Sequence, residues 1–332
     1  MTRLQVYSAT RGYRHASIHA GVEAVRELAS AEGFDVDATE DAAAFRGANL
    51  ARYAAVVFLN TTGNVLDDDG RSALSGFVAA GGGFVGVHGA ADAEYDWPSY
   101  EGLVGAWFEG HPEIQPATFV VEDGTHPATG DLPERWSRVE ELYNYQTNPR
   151  PGVRVLMTLD ETSYENGTMG ADHPITWCHR GSGGPAFYTG VGHNPESYSE
   201  PEVRRVLRGG LRYATGTVRV DDRPEPGFVP AGPPGDVDDW AGPGLDAPSA
   251  AVKFAWQTPV EARLGGRPVP LGGADALRAI NPVGEWNTTE LAVDGGRLVG
   301  YLNGLRVLDL DRDGWSGGVS LTGTRLRRIL RR

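Results

Sequence analysis

Apolar positions in the first two-thirds of the chain switch repeatedly between strand-like runs and helical spacing. Leu4 to Ala9 reads as a strand. Behind Ser17, a candidate N-cap, Ile18, Val22, Val25 and Leu28 recur at the helical period until Gly33 ends the helix. Phe34 to Thr39 reads as the next strand, and Asn49 to Arg52 as a short helical turn. Ala54 to Leu59 is a continuous apolar run, the pattern of a strand buried on both faces. Asp67-Asp68-Asp69 place negative charge where a helix begins, and Leu74, Phe77 and Val78 form that helix's apolar side. Gly81-Gly82-Gly83 ends it before another buried strand, Phe84 to His88. Repeated strand–helix–strand units predict an α/β fold with a parallel sheet and helices on both faces.

From Thr118 to His193 the pattern is richer in strands: Thr118–Val121, Val153–Leu159, Ile175–His179 and Ala186–Gly190. Pro201 to Ala214 is a closing helix with Val203, Val206, Leu207 and Leu211 on one side and Pro201 in its first turn. Three segments follow from this pattern. Residues 1–216 form the α/β domain, 217–250 a Pro/Gly-rich linker, and 251–332 a small all-β segment. In the last, Thr289–Val293, Arg297–Leu302 and Arg306–Leu310 read as strands joined by turns at Asp294-Gly295-Gly296 and Asn303-Gly304.

Charge narrows the function classes. The formal net charge of −14 argues against a broad nucleic-acid surface. No apolar run approaches the roughly 18 residues that span a bilayer, so no membrane association is expected. The start of the chain lacks the apolar core of a secretory signal, and a cytoplasmic location is expected. One cysteine, Cys178, excludes an internal disulfide, and its place in an apolar strand reads as core. A homo-oligomer is a candidate assembly.

All eight histidines precede residue 194, and several fall at strand ends: His15, His88 and His193. In an open parallel sheet, ligands bind at the carboxyl ends of the strands, and imidazole there serves as acid, base or metal ligand. Gly86-Val87-His88-Gly89-Ala90 has the spacing of a nucleophile elbow, with small residues flanking a presented side chain. That side chain is an imidazole. It cannot form the thioester that glutamine amidotransfer requires, so this activity is not expected. Carboxylates cluster near these ends: Asp92, Glu94 and Asp96 with Tyr95 and Trp97 between them, Glu140-Glu141 before Tyr143, and Asp172 before His173. Aromatic faces beside carboxylates suit a sugar or polyol. A His-plus-carboxylate set also suits a divalent metal, although His15 and His19, at i and i+4, straddle a loop–helix junction. No nucleotide is expected: Gly81-Gly82-Gly83-Phe84-Val85-Gly86 spells a dinucleotide fingerprint but precedes a strand instead of following one.

Several separated motifs carry a resemblance. Gly12-Tyr13-Arg14-His15-Ala16-Ser17-Ile18, Phe58-Leu59-Asn60-Thr61-Thr62-Gly63, Gly83 to His88, Gly110-His111-Pro112, Tyr143-Asn144-Tyr145, Asp172 to Trp177 and Tyr188 to His193 resemble the ThuA-like (trehalose utilisation) family over about residues 3–215. The resemblance implies a flavodoxin-like, class I glutamine amidotransferase-like sheet and a carbohydrate substrate, a disaccharide or glycoside. Residues 281–310 resemble the late strands of the 3-keto-disaccharide hydrolase domain, a concanavalin-like jelly roll, much shortened here. The expected function is cleavage of a glycosidic bond, in a plain or 3-keto sugar, by histidine acid/base chemistry. His88 and His193 are the expected bases, with Glu141 and Asp92 completing the catalytic set. His15, His111, Tyr143, Asp172 and His173 are expected to bind substrate. The alternatives are a sugar-binding scaffold without catalysis and a metal-dependent hydrolase.

Overall fold

The computed structural model describes residues 2–225, 229–230, 237–245, 250–257, 261–271, 276, 279–282, 285–294, 296–311, 315 and 318–331. They divide into two compact units. One runs to Asp123 and again over Pro127–Thr217; the other takes Gly124–His126 and what is described from Val218 onward.

The strands of the first unit are β1 (Thr2–Tyr7), β2 (Phe34–Thr39), β3 (Ala55–Leu59), β4 (Gly83–Val87), β5 (Phe108–Gly110), β6 (Gln115–Val121), β7 (Arg135–Glu140), β8 (Asn144–Tyr145), β9 (Arg154–Asp160), β10 (His173–His179) and β11 (Ala186–Thr189). Its helices are α1 (Ile18–Ala31), α2 (Gly47–Leu50), α3 (Asp68–Ala79), α4 (Pro98–Val104) and α5 (Pro201–Ala214). One sheet has the order β2-β1-β3-β4-β11-β10-β9-β6-β7. β2, β1, β3, β4 and β11 are mutually parallel, the flavodoxin-like order, with its switch point between β1 and β3. The expected parallel core is therefore extended by an antiparallel wing of β10, β9, β6 and β7. β5 and β8 pair separately.

Period-2 alternation sorts the helices to the two faces. On β3, Phe58 packs against Tyr100 of α4, while its neighbour Leu59 points oppositely, toward Gly21 of α1. On β4, Phe84 also meets Tyr100, and Gly83 lies so close to Ala214 of α5 that a side chain there would strike backbone. Asp67 caps α3 as the acidic run suggests, accepting from Gly70 N at 2.7 Å. Ser17 does not cap α1. Its backbone is already helical, and its hydroxyl donates to the Gly192 carbonyl at 3.1 Å. A buried tertiary partner has displaced the local cap.

The second unit comprises β12 (Val229–Pro230), β13 (Val237–Gly244), β14 (Ala251–Trp256), β15 (Glu261–Leu264), β16 (Arg267–Pro268), β17 (Asn287–Asp294), β18 (Arg297–Leu302), β19 (Leu305–Asp311) and β20 (Gly318–Arg331) in one antiparallel sheet. β12 and β13 fall within the stretch read as linker. Their main-chain groups pair with β20, which composition alone does not reveal. Phe254, Leu291, Leu298 and Leu321 belong to this unit's core. The Asn303-Gly304 turn is a true two-residue hairpin, both residues having positive φ, 48° and 79°. Gly295 of the other expected turn lies outside the described residues. Among the described residues, no helix is long and apolar enough to cross a membrane.

Candidate functional site

Four loops leave the carboxyl edge of the parallel core carrying polar side chains: His15 after β1, Asn60 after β3, His88 after β4 and His193 after β11. Alternating strand directions bring the carboxyl end of β7 to the same edge, so Glu140 and Glu141 emerge there too. Buried Asn60 ties the loops together. Its amide nitrogen donates to Ser17 Oγ (2.9 Å), the Tyr198 hydroxyl (3.2 Å) and the Gly192 carbonyl (3.3 Å). Its amide oxygen accepts from Gly89 N at 3.3 Å.

His88 opens a tight turn with φ of 45°, a conformation that costs a non-glycine residue on the order of 1–3 kcal/mol. The strained turn presents the ring as the elbow spacing suggests. Gly89 is needed for close approach: a Cβ there would stand 3.1 Å from both Asn60 Cα and His15 Cε1. His88 Nδ1 lies 2.8 Å from the Gly190 carbonyl and must donate to it. In a neutral ring Nε2 is then a lone pair, yet it faces the Glu141 Oε2 acceptor at 3.1 Å.

Glu141 is the centre of the cluster. Besides His88, its Oε2 has His193 Nδ1 at 2.9 Å and His15 Nε2 at 3.9 Å, while its Oε1 has His111 Nε2 at 3.1 Å. The His193 contact lacks hydrogen-bond alignment, and neither ring nitrogen of buried His15 has a hydrogen-bond partner. The rings of His15, His88 and His193 stand 4.9–5.4 Å apart and nearly perpendicular to one another. Burial pushes the Glu141 carboxyl up, but the imidazoles of His15, His193 and His88 together outweigh burial and hold it well below the usual carboxylate range. Burial lowers His15 despite Glu141. For His193 burial is overridden by Glu141 and the pKa is raised. Asp92 is raised, first by burial and then by the field of Glu141; its carboxylate accepts from the Tyr95 hydroxyl at 2.8 Å.

Of the residues singled out in the sequence, His15, His88, His193, His111 and Glu141 converge here. Asp92 lies within their electrostatic reach. Tyr143 is buried, and its ring packs on that of His88 at 4.2 Å, a supporting wall and not an open contact surface. His173 sits at this edge but is a satisfied core histidine. Its Nδ1 is 2.8 Å from Glu161 and from the Tyr164 hydroxyl, and its Nε2 is 2.8 Å from the Tyr143 carbonyl. Asp172 is held by Arg150 (2.8 Å) and Asn148 (3.0 Å), a surface ion pair. Glu94 is fully buried as an anchor for Arg71 and the Val65 and Leu66 amides. His19 is exposed on α1 and does not join His15. Cys178 is buried in β10.

Three contributors stand outside the expected catalytic and binding set. Glu140, fully buried, pairs with Arg138 at 3.0 Å and accepts from the amides of Gly192 (3.0 Å) and His193 (3.2 Å), so it sets the His193 loop. Asn60 and Tyr13 are the others. Tyr13 is 63% exposed and stands edge-on to His15 at 4.8 Å. Their only sequence signal is position, beside the strand-end histidines or within the shared motifs. His15 also lines a cleft of about 670 Å³ together with Arg14, His19, Thr39 and Glu40.

The family model described as ThuA, trehalose utilisation, matches residues 3–214. Two solved structures share the fold. A ThuA-like protein from Bacteroides uniformis is 24% identical with a TM-score of 0.56, covering 64% of this chain and 91% of its own. One from Parabacteroides merdae is 19% identical with a TM-score of 0.54, covering 65% and 90%. No curated protein matches.

Proposed function

Because the chain belongs to the ThuA, or trehalose utilisation, family, we propose that its carboxyl-edge cluster is the active site of a carbohydrate-cleaving enzyme. The substrate class is a disaccharide or glycoside bearing a 3-keto group. One observation carries the reading: four imidazoles surround a single buried carboxylate at the open edge of the sheet, and no thiol or hydroxyl nucleophile occupies the elbow. Such a set moves protons and stabilises developing charge; it does not form an acyl or glycosyl intermediate at His88.

A keto group acidifies the adjacent C–H. Loss of that proton to a base leaves an enolate. Its electron pair then forms a carbon–carbon double bond as the anomeric C–O bond breaks, and the departing oxygen takes up a proton. His111 is the imidazole we assign to this proton exchange, through Nε2, which faces Glu141 Oε1 at 3.1 Å and has to turn to the substrate. Its side chain is 39% exposed and backed by Glu141, whereas His88 is fully enclosed. That moves the base role from His88, whose enclosed ring lies 3.1 Å from Glu141 beneath the rim. Tyr13 and Tyr95 offer exposed ring faces to a pyranose, and Asp92 an acceptor or acid for its hydroxyls.

The test is product formation from glucosides and trehalose, each supplied plain and in 3-keto form, followed by mass spectrometry. Cleavage of the keto substrates alone is expected. Pure protein that binds these sugars but releases no product would refute the enzymatic reading in favour of a sugar-binding protein.

A further inference from the structure

The lone pairs in the cluster do not balance. Glu141 turns carboxylate oxygens toward the rings of His88, His193 and His15. His88 presents Nε2 to it after committing Nδ1 to the Gly190 carbonyl, and His111 likewise commits Nδ1 to the Pro112 carbonyl at 2.8 Å. His15 has two buried ring nitrogens with no hydrogen bond, and Nδ1 of His193 also has none. Buried polar atoms are normally satisfied, so unpartnered ring nitrogens gathered around a carboxylate point to a bound ion at their centre.

Their placement identifies that charge. One atom from each of His15, His88, His193 and Glu141 lies within 4.8 Å of every other. Ligands at about 2.1 Å from a tetrahedral cation are about 3.4 Å apart, and the separations of the three imidazoles from Glu141 Oε2, 2.9, 3.1 and 3.9 Å, bracket that value. The three rings are mutually near-perpendicular, as they must be to aim nitrogens at one point without clashing. Ligation needs an outer group fixing each ring, and the Gly190 carbonyl does this for His88. Glu140 fixes the His193 backbone.

We propose that His15, His88, His193 and Glu141 form a binding site for one divalent transition-metal cation. Three imidazoles and one carboxylate match zinc, manganese, iron(II), cobalt or nickel; calcium and magnesium prefer sets made of oxygens. The four come from loops after β1, β4, β11 and β7, so the site exists only in the folded chain. The inference deepens the carbohydrate reading by giving its substrate oxygens an electrophile, and rests on it for substrate class only. His111 stays outside the set and keeps its place at the rim.

The experiment is calorimetric titration of the full chain, stripped with chelator and dialysed, with zinc and with manganese in the absence of sugar. Cobalt titration is followed by visible absorption. One site per chain is expected, with a cobalt band indicating nitrogen ligation. His15→Ala and Glu141→Gln should each weaken binding by more than about 100-fold, beyond the range of outer-sphere changes, and His111→Ala, whose ring meets the set only through Glu141, by about 10- to 100-fold. Circular dichroism checks that each variant is folded. If folded parent protein binds none of the three ions, or if folded His15→Ala binds as tightly as the parent, the proposal fails. Because no substrate is present, that failure leaves the carbohydrate reading to its own product assay.

Discussion

Replacing Glu140 by alanine strands three groups at once. Its carboxylate is fully buried, pairs with Arg138 at 3.0 Å, and accepts the Gly192 and His193 amides at 3.0 and 3.2 Å. Arg138 is itself nearly enclosed but keeps Ser197 at 2.7 Å and Glu200 at 3.2 Å. Removing one partner of a buried ion pair costs about 3–5 kcal/mol, and each amide left unsatisfied about 1–3 kcal/mol. These contributions overlap, and Arg138 is partly compensated, so about 3–5 kcal/mol is the combined expectation. The loss is local, and amide hydrogen exchange at Gly192 and His193, read by NMR, reports it directly. At 1.4 kcal/mol per factor of ten, exchange should accelerate by roughly 10²-fold to about 4 × 10³-fold. Glu140→Gln retains one oxygen acceptor and should show a smaller acceleration. Exchange in the alanine variant within about fivefold of the parent would refute the assignment of Glu140 as the anchor of the His193 loop.

Gly89→Ala puts a methyl 3.1 Å from both Asn60 Cα and His15 Cε1, and should destabilise by about 1–3 kcal/mol while displacing His15. A melting temperature and crystal structure unchanged from the parent would contradict the close approach. Tyr13→Ala removes an exposed stacking face and should raise KM by about two- to tenfold with kcat little altered; a fall confined to kcat would count against stacking. Burial holds His173 below the ordinary imidazole range, so the unfolded chain binds this proton more readily than the folded one. Stability from this residue is therefore present above about pH 6.5 and declines as pH falls below it. Urea midpoints between pH 7.5 and 5 should fall more steeply for the parent than for His173→Gln, and parallel slopes would reject the linkage.

What the sequence reveals depends on whether burial coincides with apolarity. β3 and β4 are buried on both faces and read as unbroken apolar runs, and α5 shows its period so cleanly that its bounds match those expected. The strand-end histidines were legible for the same reason, because the strands that carry them were. β7 was not. In Arg135–Glu140 the buried positions are Arg138 and Glu140 while Val139 is exposed, an inversion of the usual alternation. Two opposite charges satisfying each other replace the apolar face, and hydrophobic periodicity has nothing to register. Asp172 and His173 stand apart from the cluster for a different reason. Adjacency to an apolar strand located the right edge for His173, but not that Glu161, Tyr164 and the Tyr143 carbonyl already use its ring.

The cluster's contributors are spread from residue 15 to residue 193, and its central carboxylate arrives from the outermost strand of the antiparallel wing. Contacts of such sequence separation form slowly, because loop closure precedes any reward. The pocket thus serves as a seal of completion: a chain still lacking β11 has no His193, and one with β7 undocked has no Glu141. Activity would then appear during refolding only after the last sheet register is set, lagging the signals of helix formation and collapse.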